Sequence, residues 1–247
     1  MNFFVFLLGL AVSAVCSMVG LGGGAFITPA LILLFSLPVK QAIGTSLFGI
    51  MIASISATII HAKHKRVNYR IGLLLDTLDV PGAALGAYLT FFLPSHLLAL
   101  FFGSIVLIMS ALIMRKESDK SNCLNLTAKI VVVCIFGSFI SGLVSGMVGV
   151  GGGIIDEAVM ILALGMPIKI SAGTALFGMS LTTIGAVVPH HILGNVRIDF
   201  ALPLGIGCAI GAIIGSSLTG RIHQEILKKI LAAVMILIGI RMILLAF

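Results

Sequence analysis

Of the chain's 247 residues, 60% are hydrophobic and 9% charged, against roughly a quarter charged in an ordinary soluble domain. That composition excludes a soluble globular protein. A formal charge of +7 does not indicate nucleic acid, because the basic residues sit in short connections between apolar segments, where topology signals belong.

In chain order, the apolar stretches predict ten helical pieces, at about 3–19, 25–37, 41–62, 71–93 and 96–114, then 129–148, 154–165, 169–190, 200–220 and 224–246. A membrane crossing needs about 20 apolar residues. The second piece of each half is shorter than that, so pieces one and two form a re-entrant or tilted hairpin. The first piece is flanked only by Met1 and Asn2, without a basic region, and is kept as part of the fold rather than read as a signal peptide. Cys16, Cys123, Cys134 and Cys208 show no metal-type spacing and are read as packing residues.

The chain is duplicated. At an offset of 129, residues 15–61 match residues 144–190 at 19 of 47 positions, among them Pro38/Pro167, Lys40/Lys169, Gly44-Thr45/Gly173-Thr174 and His61/His190. At the centre of the match, Gly20, Gly22, Gly23 and Gly24 recur as Gly149, Gly151, Gly152 and Gly153. Farther on, Gly82, Gly86 and Ala87 match Gly207, Gly211 and Ala212 if a four-residue shift is allowed. The domains read as a first repeat over 1–117, a polar linker over 118–128 and a second repeat over 129–247.

A hairpin and three crossings per half invert the second half relative to the first. With the linker inside, twelve basic residues (Lys63, Lys65, Arg66, Arg70, Arg115, Lys116, Lys120, Lys129, Lys169, Arg221, Lys228 and Lys229) lie inside, and only Lys40, Arg197 and Arg241 lie outside. The predicted fold class is an all-α polytopic integral membrane protein. It has two inverted-topology repeats, each a Gly-tipped broken or re-entrant helix hairpin plus three transmembrane helices, as in many secondary transporters. The expected location is a prokaryotic inner membrane, with both termini outside.

The G-x-G-G-G run after the first helix, the short helix with Pro29, the following Pro38 and the recurrence of this pattern resemble the sulfite and organosulfonate exporter family of TauE/SafE type. The resemblance covers essentially the whole chain. It implies transport of small sulfur-containing anions, with the paired glycine regions forming the path. The second half departs from the pattern, with Asp156-Glu157-Ala158 where the first has Ile27-Thr28-Pro29.

The residues themselves allow the following readings. The eight glycines permit backbone closed to other residues and lead into short helices whose N-terminal amides suit an oxyanion. Thr45, Ser46 and Thr174 offer hydroxyls to the same anion or to helix packing. Asp156 and Glu157, costly in an apolar segment, are candidates for proton coupling or for capping the short helix; an ionised pair would instead suit a cationic substrate. Asp76 and Asp79, also gating or coupling candidates, are within helical reach of Lys65, Arg66 or Arg70, so ion pairing at the inner mouth is the favoured account. His61 and His190 are repeat mates that fit a proton relay or an interfacial position. Lys40 and Lys169 are expected one in each vestibule. Gly82/Gly86 and the series Gly207, Gly211 and Gly215 read as helix packing or a subunit contact.

No Walker lysine follows the glycines, and neither a G-x-S-x-G elbow nor an H-E-x-x-H pair occurs, so neither nucleotide use nor catalysis is expected. The expected partners are a small anionic substrate, protons and membrane lipid, with no nucleic acid, cofactor or bound metal, in a monomer or homodimer. An anion channel, a cation transporter using Asp156 and Glu157, an intramembrane enzyme and a non-transporting scaffold are the alternatives.

Overall fold

The computed structural model describes residues 2–114, 128–162, 164–219 and 224–245. Most of the linker, together with Arg115, Lys116, Lys120, Cys123 and Arg221, lies outside the described residues. Those described form ten helices and no strand: α1 (Asn2–Ser17), α2 (Gly24–Phe35), α3 (Val39–Lys63), α4 (Tyr69–Leu89), α5 (Ser95–Met114), α6 (Ala128–Val148), α7 (Gly153–Leu162), α8 (Ile168–Ile192), α9 (Ile198–Leu218) and α10 (Gln224–Leu244).

Local chemistry sets these boundaries. Pro38 and Pro167 stand at the N-caps of α3 and α8, where a fixed φ and a missing amide cost nothing. Ser36, with φ 54°, closes α2, and Gly165, with φ 61°, follows α7. With 12 and 10 residues, α2 and α7 extend only about 18 and 15 Å at 1.5 Å per residue, well short of a hydrocarbon core of about 30 Å. Among the described residues α3, α8 and α9 are long and apolar enough to cross a membrane. The 21 residues of α4 carry Asp76 and Asp79 inside their apolar run.

The two halves interleave. α1 packs along α9 and α6 along α4, so the first helix of each half lies against the fourth helix of the other. Glycines make that approach possible: a Cβ on Gly82 or Gly86 would lie 2.5 or 2.1 Å from the carbonyl oxygen of Phe139 or Leu143. On the other pair, Gly211 and Gly215 would meet the carbonyls of Leu10 and Ala14 at 2.2 and 2.1 Å. The glycine stripes are therefore helix packing within one chain. These contacts also correct the four-residue shift: Gly82 corresponds in space to Gly211 and Gly86 to Gly215, which keeps the offset of 129 through the fourth helices. A stripe of glycines four residues apart can slide by one turn and still match, so identity alone did not fix its register.

Two reciprocal hydrogen bonds show how α3 and α8 run. The Asn68 amide, just after α3, donates to Thr174 Oγ1 near the start of α8 at 2.9 Å. The Arg197 amide, just after α8, donates to Thr45 Oγ1 near the start of α3 at 3.1 Å. The helices are antiparallel, and the polar connections gather at two ends. At one end Arg66 donates to the Thr219 carbonyl at 3.3 Å; at the other, Lys40 donates to the Phe91 carbonyl at 3.2 Å and Arg197 to Gln41 at 3.5 Å.

Candidate functional site

The glycine runs are the two breaks before the short helices. Gly20, Gly22 and Gly23 have φ of 84°, 65° and 98°, and Gly149, Gly151 and Gly152 repeat this with 77°, 92° and 70°. Left-handed backbone at each of these positions accounts for the choice of glycine. The chain turns sharply, and α2 and α7 begin at the next residue.

The two tips touch. A Cβ on Gly24 would lie 2.5 Å from the Gly149 carbonyl oxygen and 2.7 Å from the Val150 Cα, while the Gly20 carbonyl oxygen would be 3.5 Å from a Cβ on Gly153. Thr28 on α2 donates to the Gly149 carbonyl at 3.2 Å and shares a 2.6 Å hydrogen bond with Ser46, whose hydroxyl is itself 3.5 Å from Gly149. In the mirror position, Glu157 on α7 directs Oε2 at Gly20, 3.0 Å from where a Cβ would stand. Each tip is thus engaged by a side chain from the other half's short helix.

Beside the second tip lies a group the sequence did not assemble. Asp76 and Asp79 of α4 and Asp156 of α7 offer carboxylate oxygens within 4.8 Å of one another, and all three residues are buried. Thr182 of α8 donates toward Asp79 Oδ2 and also lies 3.3 Å from Asp76 Oδ1, while the Ser141 hydroxyl of α6 donates to the Gly152 carbonyl at 3.2 Å, beside Asp79 and Asp156. A Cβ on Gly152 would fall 3.1 Å from Asp79 Oδ2, so the cluster abuts the tip itself. The expected ion pairs of Asp76 and Asp79 with Lys65, Arg66 or Arg70 are not made: Arg70 and Lys65 are exposed, Arg66 is spent on Thr219, and the two carboxylates turn into the bundle.

The remaining candidates stand apart from both features. Thr45 and Thr174 hold the connections of the opposite half, as above. His190 is buried, with Nε2 2.9 Å from the Gly146 carbonyl and Nδ1 3.3 Å from Asn195 Nδ2. Its mate His61 is buried in the equivalent place beside the Ser17 backbone, without a hydrogen bond of ordinary geometry. Lys169 is exposed at the start of α8. Cys16 and Cys208 are buried free thiols, in keeping with packing. Sequence reasoning missed Thr182 and Ser141; the only available signal was a hydroxyl midway along an apolar helix, which also describes Thr183 and Ser180.

This fold defines a polytopic helical membrane protein with paired broken helices meeting at its centre, the construction of a membrane transporter. The sulfite exporter TauE/SafE family model matches residues 5–242, and the chain belongs to that family. It is 30% identical to a probable membrane transporter protein of Bacillus subtilis, YunE, over 96% of this chain and 95% of the relative. A probable membrane transporter protein of Methanocaldococcus jannaschii is 28% identical over 96% of this chain and 94% of its own length. The Arabidopsis thaliana sulfite exporter TauE/SafE family protein 3 is 32% identical over 43% of this chain and 20% of its own. No solved structure matches.

Proposed function

We propose that the chain is a secondary transporter that moves a small sulfur-containing oxyanion, such as sulfite or a sulfonate, by alternating access between the two glycine tips. The contact between the tips carries this reading. Two helix starts from opposite halves, each built on left-handed glycines, meet in the buried centre, and helix N-termini favour oxyanions through free amides and the positive end of the dipole. Gly23, the N-cap of α2, has no side chain to occupy those amides, and Thr28 and Ser46 add hydroxyls beside them. With the tips in contact the centre is closed, and substrate enters when they part toward one side and leaves when they part toward the other.

The constant offset and the antiparallel α3 and α8 support inverted repeats. Gathering of Arg66 with Thr219, away from Lys40 and Arg197, supports an inside face at the Arg66 end and both termini outside, in a prokaryotic inner membrane. Carboxyl groups against both tips, Asp156 with Asp76 and Asp79 at the second and Glu157 at the first, support coupling of the anion to protons.

The test is a proteoliposome flux panel of sulfite, thiosulfate, sulfoacetate, taurine and inorganic cations, with and without a pH gradient. The expected result is saturable, counter-flow-competent movement of a sulfur oxyanion that responds to the gradient. Movement of none of these anions refutes the substrate class; non-saturating flux without counter-flow refutes alternating access in favour of a channel.

A further inference from the structure

We propose that Asp76, Asp79 and Asp156, completed by the hydroxyls of Thr182 and Ser141, bind one hard metal cation of the size of Na+ or Ca2+ against the second glycine tip. The donors are all oxygen, which selects hard cations over the thiolate- and imidazole-seeking metals. The size follows from the spacing. Three atoms no more than 4.8 Å apart share a point no farther than 4.8/√3, or about 2.8 Å, from each. Only a small inward adjustment brings them to the 2.3–2.6 Å, roughly, of Ca2+–oxygen bonds, and Na+ has nearly the same radius. Mg2+ asks for a tighter shell of about 2.0–2.1 Å in near-octahedral form.

The cluster also lacks the donors it would need as a closed hydrogen-bonded network. Asp76 Oδ2, Asp79 Oδ1 and Asp156 Oδ2 are buried without a hydrogen-bond partner. Thr182 has one hydroxyl proton to offer to Asp76, Asp79 and its own Gly178 carbonyl. One turn along α6 from Ser141, the Ser145 hydroxyl is also fully buried and unpartnered.

Among the described residues no basic side chain pairs with the three carboxylates. Of the other titratable groups on the packed helices, Glu157 of α7 points Oε2 at Gly20, His190 of α8 is held at the Gly146 carbonyl, and Arg70, Lys169 and His191 are exposed. The positions equivalent at the offset of 129 are Gly205, Cys208, Ile27, Ala53, Val12 and Cys16, for Asp76, Asp79, Asp156, Thr182, Ser141 and Ser145 respectively. None of them could ligate a hard cation, and Ile27, Ala53 and Cys208 belong to a packed apolar core. One side of the pseudo-symmetric centre is therefore apolar and the other is a single cation site. A bound cation ties α4, α6, α7 and α8 together at Gly152 and holds the second tip closed. This link to transport rests on the function proposed above; the binding does not.

The experiment uses the full chain in detergent after chelator treatment, with equilibrium retention of radiolabelled Na+ and Ca2+ and thermal unfolding in sodium, choline, calcium and magnesium chlorides at matched ionic strength. One of Na+ or Ca2+ is retained saturably and raises the unfolding temperature above that in choline or Mg2+, as a ligand of the folded state must. Asp79→Asn and Asp156→Asn abolish both effects. Thr182→Val, which keeps every carboxylate and the side-chain volume, weakens retention about tenfold or more. Wild-type protein that retains neither ion overturns the proposal and leaves the cluster to protons alone. Retention unchanged in all three variants overturns it by placing the ion elsewhere. Neither result depends on flux, so the transport reading stands or falls separately.

Discussion

Replacing Gly24 by alanine tests whether the two halves meet as described. Gly24 is helical, so alanine meets no backbone strain there, and the effect comes from what the new methyl touches: the Gly149 carbonyl oxygen at 2.5 Å, the Val150 Cα at 2.7 Å and Ile50 Cδ1 at 2.7 Å. The isoleucine terminus can turn aside, but the other two atoms are backbone of the opposite tip. Restoring an ordinary 3.4 Å contact to the carbonyl requires 3.4 − 2.5 = 0.9 Å of separation between the tips. Overpacking of this kind costs about 1–3 kcal/mol. At about 2–4 °C per kcal/mol for a chain of this size, the unfolding temperature in detergent falls by roughly 2–12 °C, and flux in proteoliposomes falls with it because the closed state no longer forms. Gly137→Ala is the control: it is helical and has nothing within 4 Å of the new Cβ, so it is neutral or stabilising by up to about 1 kcal/mol. A Gly24→Ala protein that unfolds within about 1 °C of wild type and keeps its flux refutes the contact between the tips.

Three further outcomes follow from the same geometry. Thr45→Val and Thr174→Val each leave a connection amide of the opposite half unpaired, so each destabilises by about 1–2 kcal/mol in thermal unfolding, and by similar amounts; a cost at one site alone would break the equivalence of the halves. Gly86→Val and Gly215→Val drive a branched side chain into the carbonyls of Leu143 and Ala14, and both lose the monodisperse peak in size-exclusion chromatography; a well-folded variant at either position would count against close packing there. Asp156→Asn preserves shape while removing a carboxyl group from a crowded acidic cluster, so it lowers flux, and in choline chloride, where no bound cation stabilises the wild type, it does so without lowering the unfolding temperature; unaltered flux would remove Asp156 from the coupling machinery.

The positions of the helices and of the tips were legible in the sequence because both depend on local chemistry. Apolar runs bounded by Pro38, Pro167 and the glycine clusters specify helices whatever they pack against, and a duplication that keeps its offset of 129 predicts two like halves. Left-handed turns at Gly22 and Gly151 follow from residue type in the same way. The packing partners were not legible. A glycine stripe of period four matches itself at more than one register, and only the carbonyls of Phe139 and Leu10 facing it decide which is right.

The carboxylates show the same division. Residue spacing placed Asp76 and Asp79 on one face of a helix near a basic connection, where ion pairs would be expected, and placed Asp156 beside Glu157 after the second tip. Which way α4 faces depends on α6 lying against it, with Gly142 and Gly146 admitting the backbones of Asp79 and Ala83, and on α8 supplying Thr182 from another segment. Sequence by itself determined that this is a duplicated membrane protein with glycine-broken helices, since those features are written in short-range pattern. Only the tertiary structure brought Asp76 and Asp79 of the first half to Asp156 of the second, because helix rotation and the crossing of the halves are set by side chains far apart in the chain.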